Sequence, residues 1–147
     1  MIELTCCPST LQKGFSTYSP VALKELFNSQ KVNHILPYNG MDNNETEQKE
    51  FQDNNKHMSI SGAQQKYSLV VDNGQMRLSL EQEQATLLLK TKLSEYANKE
   101  ISPANEHLTM QIASQVYNIP TAANGLCFFQ NDEPAYITRR FDIAPNG

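Results

Sequence analysis

Hydrophobic and polar positions alternate along two short runs that follow Lys66. Because side chains on a strand point alternately to its two faces, each run predicts a strand with one face buried. The dipeptide Asn73-Gly74 separates the runs and favours the tight turn that joins antiparallel strands. The pattern therefore predicts a β-hairpin. Its apolar positions are Tyr67, Leu69 and Val71 in the first run and Met76, Leu78 and Leu80 in the second.

A third strand is predicted at residues 85–91, ATLLLKT, which are too apolar for a strand with one exposed face. Lys90 lies near the end of this strand, so its ammonium group would be at the margin of a buried sheet. A charge in that position usually has a partner of opposite sign. The alternative is a lysine that extends its ammonium group into water.

A helix is predicted to begin at Ser102-Pro103, a pair that is typical of an N-cap and the first helical residue. In the residues that follow, Leu108, Ile112 and Val116 recur every four positions. This spacing predicts one apolar stripe that packs on the sheet. His107 would then lie on the solvent side of the helix.

Two more strands are predicted at residues 125–129, GLCFF, and 135–141, AYITRRF. Alternation along the second of them would direct Arg139 and Arg140 to opposite faces. The order of elements is three strands, a helix and two strands. This order predicts an α+β fold with a mainly antiparallel sheet and one packed helix, which is the layout of the small lobe of a protein-kinase-like fold.

The first forty residues contain one clear helix signal, with Ser19 as N-cap, Pro20 at the first helical position and Asn28 as the end. The residues expected to pack are Val21, Leu23, Leu26 and Phe27. A short helix that docks on the rest of the chain is therefore expected.

Residues 42–56 are almost wholly polar, with Phe51 as the single large apolar side chain, so they predict a linker or a frayed helix. The predicted organisation is a helical segment at 1–41, a polar linker at 42–56 and a kinase-like lobe at 57–147.

The composition excludes several classes of protein. Lys and Arg total 12 against 16 Asp and Glu, and the net charge of −4 argues against direct binding to nucleic acid. No apolar stretch approaches the roughly 18 residues that cross a membrane, and the N-terminus lacks an export signal.

The three cysteines have no CxxC spacing and are expected to be reduced thiols in a cytoplasmic protein. A zinc site of Cys6, Cys7 and His34 is conceivable, but adjacent ligands fit tetrahedral geometry poorly.

The glycine turn before the hairpin carries candidate chemistry. In SISGAQQK, residues 59–66, the small Ser61, Gly62 and Ala63 would let backbone N–H groups approach phosphate oxygens closely. Lys66 and Lys90 could add positive charge there. On pattern alone, the serines of this turn are more typical of residues that cap local backbone groups.

Two further features would complete a nucleotide site. Glu106, near the helix start, could hold Lys90 by an ion pair, although a carboxylate is also favoured there by the helix dipole. At the end of the last strand, Arg139 to Phe141 offer exposed backbone to an adenine ring.

SISGAQQK resembles the glycine-rich loop of the HipA family, which are bacterial serine/threonine kinases and the toxins of toxin–antitoxin systems. The resemblance continues through LLLK at 87–90, NEHLTM at 105–110, NIP at 118–120 and RRFD at 139–142. It covers roughly residues 57–143. The double-serine loop is most similar to the HipT branch of the family.

The resemblance implies roles for individual residues. Ser59 and Ser61 match positions of autophosphorylation in the loop, and Lys66 and Lys90 match lysines that contact nucleotide phosphates. Arg139 and Phe141 match the hinge that faces adenine. ATP with Mg²⁺ would be the cofactors. The implied partners are a HipB-like DNA-binding antitoxin, a separate HipS-like subunit and a protein substrate such as an aminoacyl-tRNA synthetase.

The aspartates and the asparagine that such kinases use for catalysis and for Mg²⁺ have no match among the 147 residues. The expectation is thus an ATP-binding N-terminal lobe, without catalytic or metal-binding residues and inactive alone, whose Mg²⁺ ligands belong to a C-terminal lobe. The alternative is a non-catalytic interaction module that binds an antitoxin or a separate kinase lobe.

Overall fold

The protein, in a computed structural model, is described over residues 1–41, 44–56, 65–92 and 97–143. Three helices and five strands lie in these ranges. The helices are α1 (Pro20–Phe27), α2 (Glu45–Lys56) and α3 (Ser102–Gln115). The strands are β1 (Lys66–Asp72), β2 (Gln75–Leu78), β3 (Leu87–Lys90), β4 (Asn124–Phe128) and β5 (Pro134–Arg139).

The five strands form one antiparallel sheet in the order β2-β1-β3-β5-β4. Tyr67 on β1 lies opposite Leu89 on β3, and Leu89 lies opposite Ile137 on β5. These three side chains are at most 2% exposed, so they form the centre of one buried face. The predicted α+β fold and its order of elements are confirmed.

The predicted hairpin is also present. Asn73 and Gly74 connect β1 to β2, and both have positive φ, of 49° and 76°. A turn of this type suits an Asn-Gly pair because asparagine tolerates the left-handed region and glycine has no Cβ to clash there. The hairpin is therefore specified locally.

Helix α1 begins as its capping residues predict. The Ser19 hydroxyl accepts a hydrogen bond from the Ala22 N–H at 3.3 Å, and Asn28 ends the helix in the left-handed conformation. Ala22, Leu26 and Phe27 are buried, but Val21 is 52% exposed, so its expected packing is wrong. The buried face of α1 is shifted by one residue from the predicted one, so the small Ala22 occupies the buried position that was expected for Val21.

Of the two alternatives predicted for residues 42–56, a linker or a frayed helix, the structure has a helix, because Glu45–Lys56 form α2 on the buried face of the sheet. One aromatic anchor suffices: Phe51 is 1% exposed, and its ring lies 4.9 Å from that of Tyr67. The buried Asn54 adds a hydrogen bond from the Ser68 N–H at 2.8 Å and donates one to the Ser79 carbonyl at 3.0 Å.

Helix α3 packs in a different phase from the predicted one. Leu108, Ile112 and Val116 are 49%, 41% and 66% exposed, whereas His107, expected at the surface, is only 2% exposed. The reason is that polar contacts with the N-terminal residues, described below, outweigh the apolar stripe. Ser102 is the first helical residue rather than the N-cap, and a short 3₁₀ turn precedes it.

Candidate functional site

A cavity of about 690 Å³ lies between α3 and the end of β5, on the face of the sheet opposite the buried one of Tyr67, Leu89 and Ile137. Strand alternation places Leu88 and Lys90 of β3 on this face, opposite Thr138 and Tyr136 of β5. Further apolar walls come from Met110, Ala113, Ile119 and Pro120. The cavity therefore combines a wide apolar surface with one lysine at its inner edge.

The ammonium group of Lys90 is held from two sides. It forms an ion pair with the Glu106 carboxylate of α3, and it lies 5.5 Å from the centre of the Tyr136 ring. The Lys90 and Glu106 side chains are 21% and 28% exposed, so water screens the pair only partly. The contact that the sequence predicts between Lys90 and Glu106 is present.

Lys66 lies directly across the sheet from Lys90, at the first position of β1. Residues opposite each other on antiparallel strands share a face, so both lysines belong to the face that holds the cavity. Two positive charges at this spacing repel each other unless a negative group lies nearby. Lys66 is not part of the cavity wall, but its position adds positive charge next to Lys90.

Residues 139–142 form the outer edge of the cavity. The Arg139 guanidinium donates a hydrogen bond to the Glu25 carbonyl of α1 at 2.9 Å, so its charge is directed away from the cavity. Arg140 instead forms two hydrogen bonds with the Asp142 carboxylate, of 3.0 and 2.6 Å, which lower the pKa of Asp142. Phe141 is 90% exposed.

A family model described as "HipA-like C-terminal domain" matches residues 58–145, which is more than half of the chain. The chain belongs to the HipA family. The match confirms the family resemblance and the general context of toxin–antitoxin kinases. A comparison with curated proteins found no match.

The HipA-family match spans every candidate site residue that the sequence predicts, from Ser59 to Phe141. Lys90, Glu106, Arg139 and Phe141 meet at the cavity. Four of the predicted residues lie outside the described ranges, namely Ser59, Ser61, Gly62 and Ala63. The described chain resumes at Gln65, immediately before Lys66.

Several residues of the cavity were not predicted from the sequence. Tyr136 and Thr138 could have been found, because alternation in AYITRRF places them on one face together. Met110 could not, because the apolar period of α3 predicts the wrong phase. Ile119 and Pro120 belong to the NIP segment, which contributes to the resemblance to the HipA family but does not itself indicate a role for these two residues.

A second cavity, of about 640 Å³, lies between α2 and β2 and contains none of the predicted site residues. The described residues contain no group of three histidines, cysteines or carboxylates that could hold a metal ion. Cys7, considered above for zinc, is buried and accepts a hydrogen bond from the Ser19 N–H at 3.3 Å. In the described ranges, no helix is long and apolar enough to cross a membrane.

Proposed function

We propose that this chain is the ATP-binding lobe of a HipA-like serine/threonine kinase, closest to the HipT branch. The observation that carries the proposal is the Lys90–Glu106 pair at the inner edge of an apolar cavity. A nucleotide has the matching parts, since its flat base is apolar on both faces and its phosphates are negative.

The apolar walls support binding of the base. Leu88 and Met110 lie between the sheet and α3, and Ile119 and Pro120 lie on the segment that leaves α3. A base between these walls would reach the backbone of residues 139–142. The N–H groups of Arg139 and Arg140 already bond to the Ala123 and Thr86 carbonyls, so polar contacts to the base would use the carbonyls or the next residues.

The two lysines support binding of the phosphates. Glu106 and the Tyr136 ring restrict the Lys90 side chain, which otherwise has four rotatable bonds, so its ammonium group is placed before the ligand arrives. Lys66 would add a second positive charge on the same face. Charge-assisted hydrogen bonds to phosphate are roughly twice as strong as neutral ones.

Magnesium does not fit this part of the site. The two carboxylates of the cavity, Glu106 and Asp142, are each paired with a cation, Lys90 and Arg140. A divalent ion would need oxygen ligands that are not already neutralised. We therefore assign no Mg²⁺ ligand to the described residues, and the chain's own contribution is to hold and orient the nucleotide.

Ser59 and Ser61 are proposed as regulatory phosphorylation sites in the glycine-containing segment before Lys66. A phosphate adds about −1.5 to −2 charges, which would oppose the nucleotide phosphates at the same lysines. We expect Ser59→Asp with Ser61→Asp to weaken ATP binding, and the same positions changed to Asn to leave it unchanged. Equal affinity in both double variants would contradict the regulatory role.

A second candidate function is an interaction module. The observation that favours it is the exposed apolar stripe along α3 and its C-cap residue, formed by Leu108, Ile112 and Val116. The proposed partners are a HipB-like antitoxin, a HipS-like subunit, a separate kinase lobe or a protein substrate such as an aminoacyl-tRNA synthetase. Co-purification of the chain with one of them, lost when the stripe is made polar, would support this function.

ATP titration of the ¹⁵N-labelled chain tests the nucleotide site. We expect the largest chemical-shift changes at residues 87–90 and 136–142, at Lys66 and at the cavity residues Met110 and Ile119. Adenosine should cause smaller changes because it lacks phosphates. Lys90→Met should weaken ATP binding by roughly tenfold or more, the usual effect of losing a hydrogen bond to a charged group. Lys31→Met, at an exposed lysine, is the matched control. No localised shifts at millimolar ATP, or equal effects of the two variants, would refute the proposal.

A further inference from the structure

The N-terminal residues lie outside the part of the chain that matches the HipA-like domain, residues 58–145. Nevertheless, they contact two of the elements that form the cavity, α3 and β5. Residues 8–10 contact α3 and β4, and α1 accepts a hydrogen bond from the Arg139 side chain of β5. We define residues 8–10, Pro8-Ser9-Thr10, as the N-terminal clamp.

The face of α3 that meets the clamp is polar. His107, Gln111 and Gln115 recur every four residues, one position before the exposed Leu108, Ile112 and Val116. The His107 Nε2 atom lies 2.7 Å from the Ser9 carbonyl oxygen. Because a carbonyl only accepts, the imidazole carries its proton on Nε2 and donates it there.

Two further bonds extend this contact along the helix. The Gln115 amide donates to the Thr10 carbonyl at 2.8 Å, and the Gln111 amide donates to the Asn124 side chain at 3.0 Å. The Ser9 hydroxyl donates to the Asn124 backbone carbonyl at 2.7 Å. The clamp thus connects α3 to the first residue of β4.

The clamp is also fixed to the sheet itself. The Leu126 N–H donates to the Pro8 carbonyl at 2.7 Å. A Cβ atom at Gly125 would lie 3.1 Å from the Pro8 carbonyl oxygen and 3.1 Å from the Ser9 Cβ atom, which is closer than ordinary contact. Glycine at this position therefore allows the clamp to lie directly on β4.

His107 and Glu106 are neighbours on one rigid helix. The bond that holds His107 against Ser9 therefore also sets the rotation and height of α3 that bring the Glu106 carboxylate to Lys90. We propose that the N-terminal clamp is a positioning element for the Lys90–Glu106 pair, with His107 as its main contact residue. Its effect on ligand affinity, though not the positioning itself, rests on the proposed nucleotide function.

The position of Lys90 can be measured without any ligand. In the whole chain labelled with ¹⁵N-lysine, the Lys90 ammonium resonance reports on its pairing, and Glu106→Gln gives the reference for the unpaired state. We expect His107→Phe, which keeps a ring but removes the donor, to move this resonance most of the way to that reference. His107→Gln, whose amide can still donate to Ser9, should restore the original position.

A separate titration with ATP gives the second measurement. We expect His107→Phe to weaken ATP binding by roughly three- to tenfold, the range for one lost hydrogen bond. Should His107→Phe fail to fold, two other variants replace it. Gln115→Ala removes the exposed hydrogen bond to the Thr10 carbonyl, and Gly125→Ala disturbs the contact between β4 and the clamp.

An unchanged Lys90 resonance in folded His107→Phe, or in both replacement variants, would overturn the proposal. A resonance that moves in a chain that does not bind ATP would support the positioning role and refute the nucleotide function. ATP binding together with a Lys90 resonance that moves in none of the variants would support the nucleotide function and refute the positioning role.

Discussion

Burial favours the neutral form of the His107 imidazole. The side chain is 2% exposed, and burial lowers its pKa below the ordinary 6.5, although the bond to the Ser9 carbonyl opposes part of this effect. His34 has a pKa that burial lowers in the same way. Both residues therefore resist protonation in the folded chain more than in the unfolded one.

The unfolding free energy is expected to fall in mildly acidic solution. Below pH 6.5 the unfolded chain binds a proton at His107 that the folded chain does not, so stability increases with pH in that window. The contribution of the neutral imidazole is fully present above pH 6.5 and is lost as the pH decreases toward the lowered pKa. Urea unfolding at about pH 7.5 and about pH 5.5 measures the difference.

His107→Gln should reduce the difference in urea midpoint between the two pH values. Adding His34→Gln should reduce the difference that remains in the His107→Gln variant. A midpoint that changes equally in the wild type and in both variants would assign the pH dependence to other groups.

At the scale of single residues, local rules predicted the contact between Lys90 and Glu106 but not the burial of His107. A strand-end lysine needs a carboxylate, and a helix start favours one, so two short-range preferences agree. His107 is buried because of the Ser9 carbonyl, 98 residues away in the sequence. No pattern around His107 contains that information.

Phe51 is the anchor of α2. Its ring is 1% exposed and packs edge-on against Tyr38 and Tyr67. We expect Phe51→Ala to lower the free energy of unfolding by about 3–5 kcal/mol, the usual effect of removing a buried aromatic ring. Phe141→Ala, at a phenylalanine that is 90% exposed, should change it by less than about 0.5 kcal/mol. Urea unfolding of both variants gives the comparison, and equal effects would mean that α2 is not anchored by Phe51.

The exposed stripe of α3 should contribute little to stability. Changing Leu108, Ile112 and Val116 to Gln, a good helix former, is expected to alter the free energy of unfolding by no more than about 0.5 kcal/mol each. Binding of a hydrophobic dye should decrease, because the apolar area is in contact with water.

Leu89→Gln, at a leucine that is 0% exposed, is the control and should destabilise the chain strongly. A large loss of stability in the stripe variant would instead place these three side chains in the core, as the periodicity alone had predicted.

At the scale of elements, prediction succeeded where the decisive signal is local. The Asn73-Gly74 turn and the Ser19 cap act on their own neighbours, so the hairpin and α1 were expected correctly. The structure of α2 depends on the Phe51 ring, which packs between Tyr38 and Tyr67. The average polarity of residues 42–56 does not reveal a single side chain with this effect. For α3, periodicity identified residues that share a face but not which face meets the sheet.

At the scale of the whole molecule, the described buried residues form a hydrophobic cluster to which the N-terminal residues contribute. The large buried apolar side chains of residues 1–41 are Tyr18, Leu26, Phe27, Val32 and Leu36. Each contributes about 1.5–3 kcal/mol when removed from water. Together they contribute about as much as the 5–15 kcal/mol by which a typical domain is stable. The segments predicted at 1–41 and 57–147 therefore share one core, whatever their boundaries.

Residues 57–147 alone are accordingly expected not to fold cooperatively, although they contain the whole of the family match. Removing 1–41 takes away side chains of the buried cluster to which Leu69 and Leu89 belong, and removing 42–56 also takes away Phe51. Circular dichroism during urea unfolding should show a broad, non-cooperative change for 57–147 and a sharp transition for the whole chain. The fragment 44–147 separates the two contributions, because it retains α2 and lacks only the first segment. A sharp transition in either fragment would show that the N-terminal residues cover a core that is already stable, and their buried contacts would then serve the position of α3 rather than the fold.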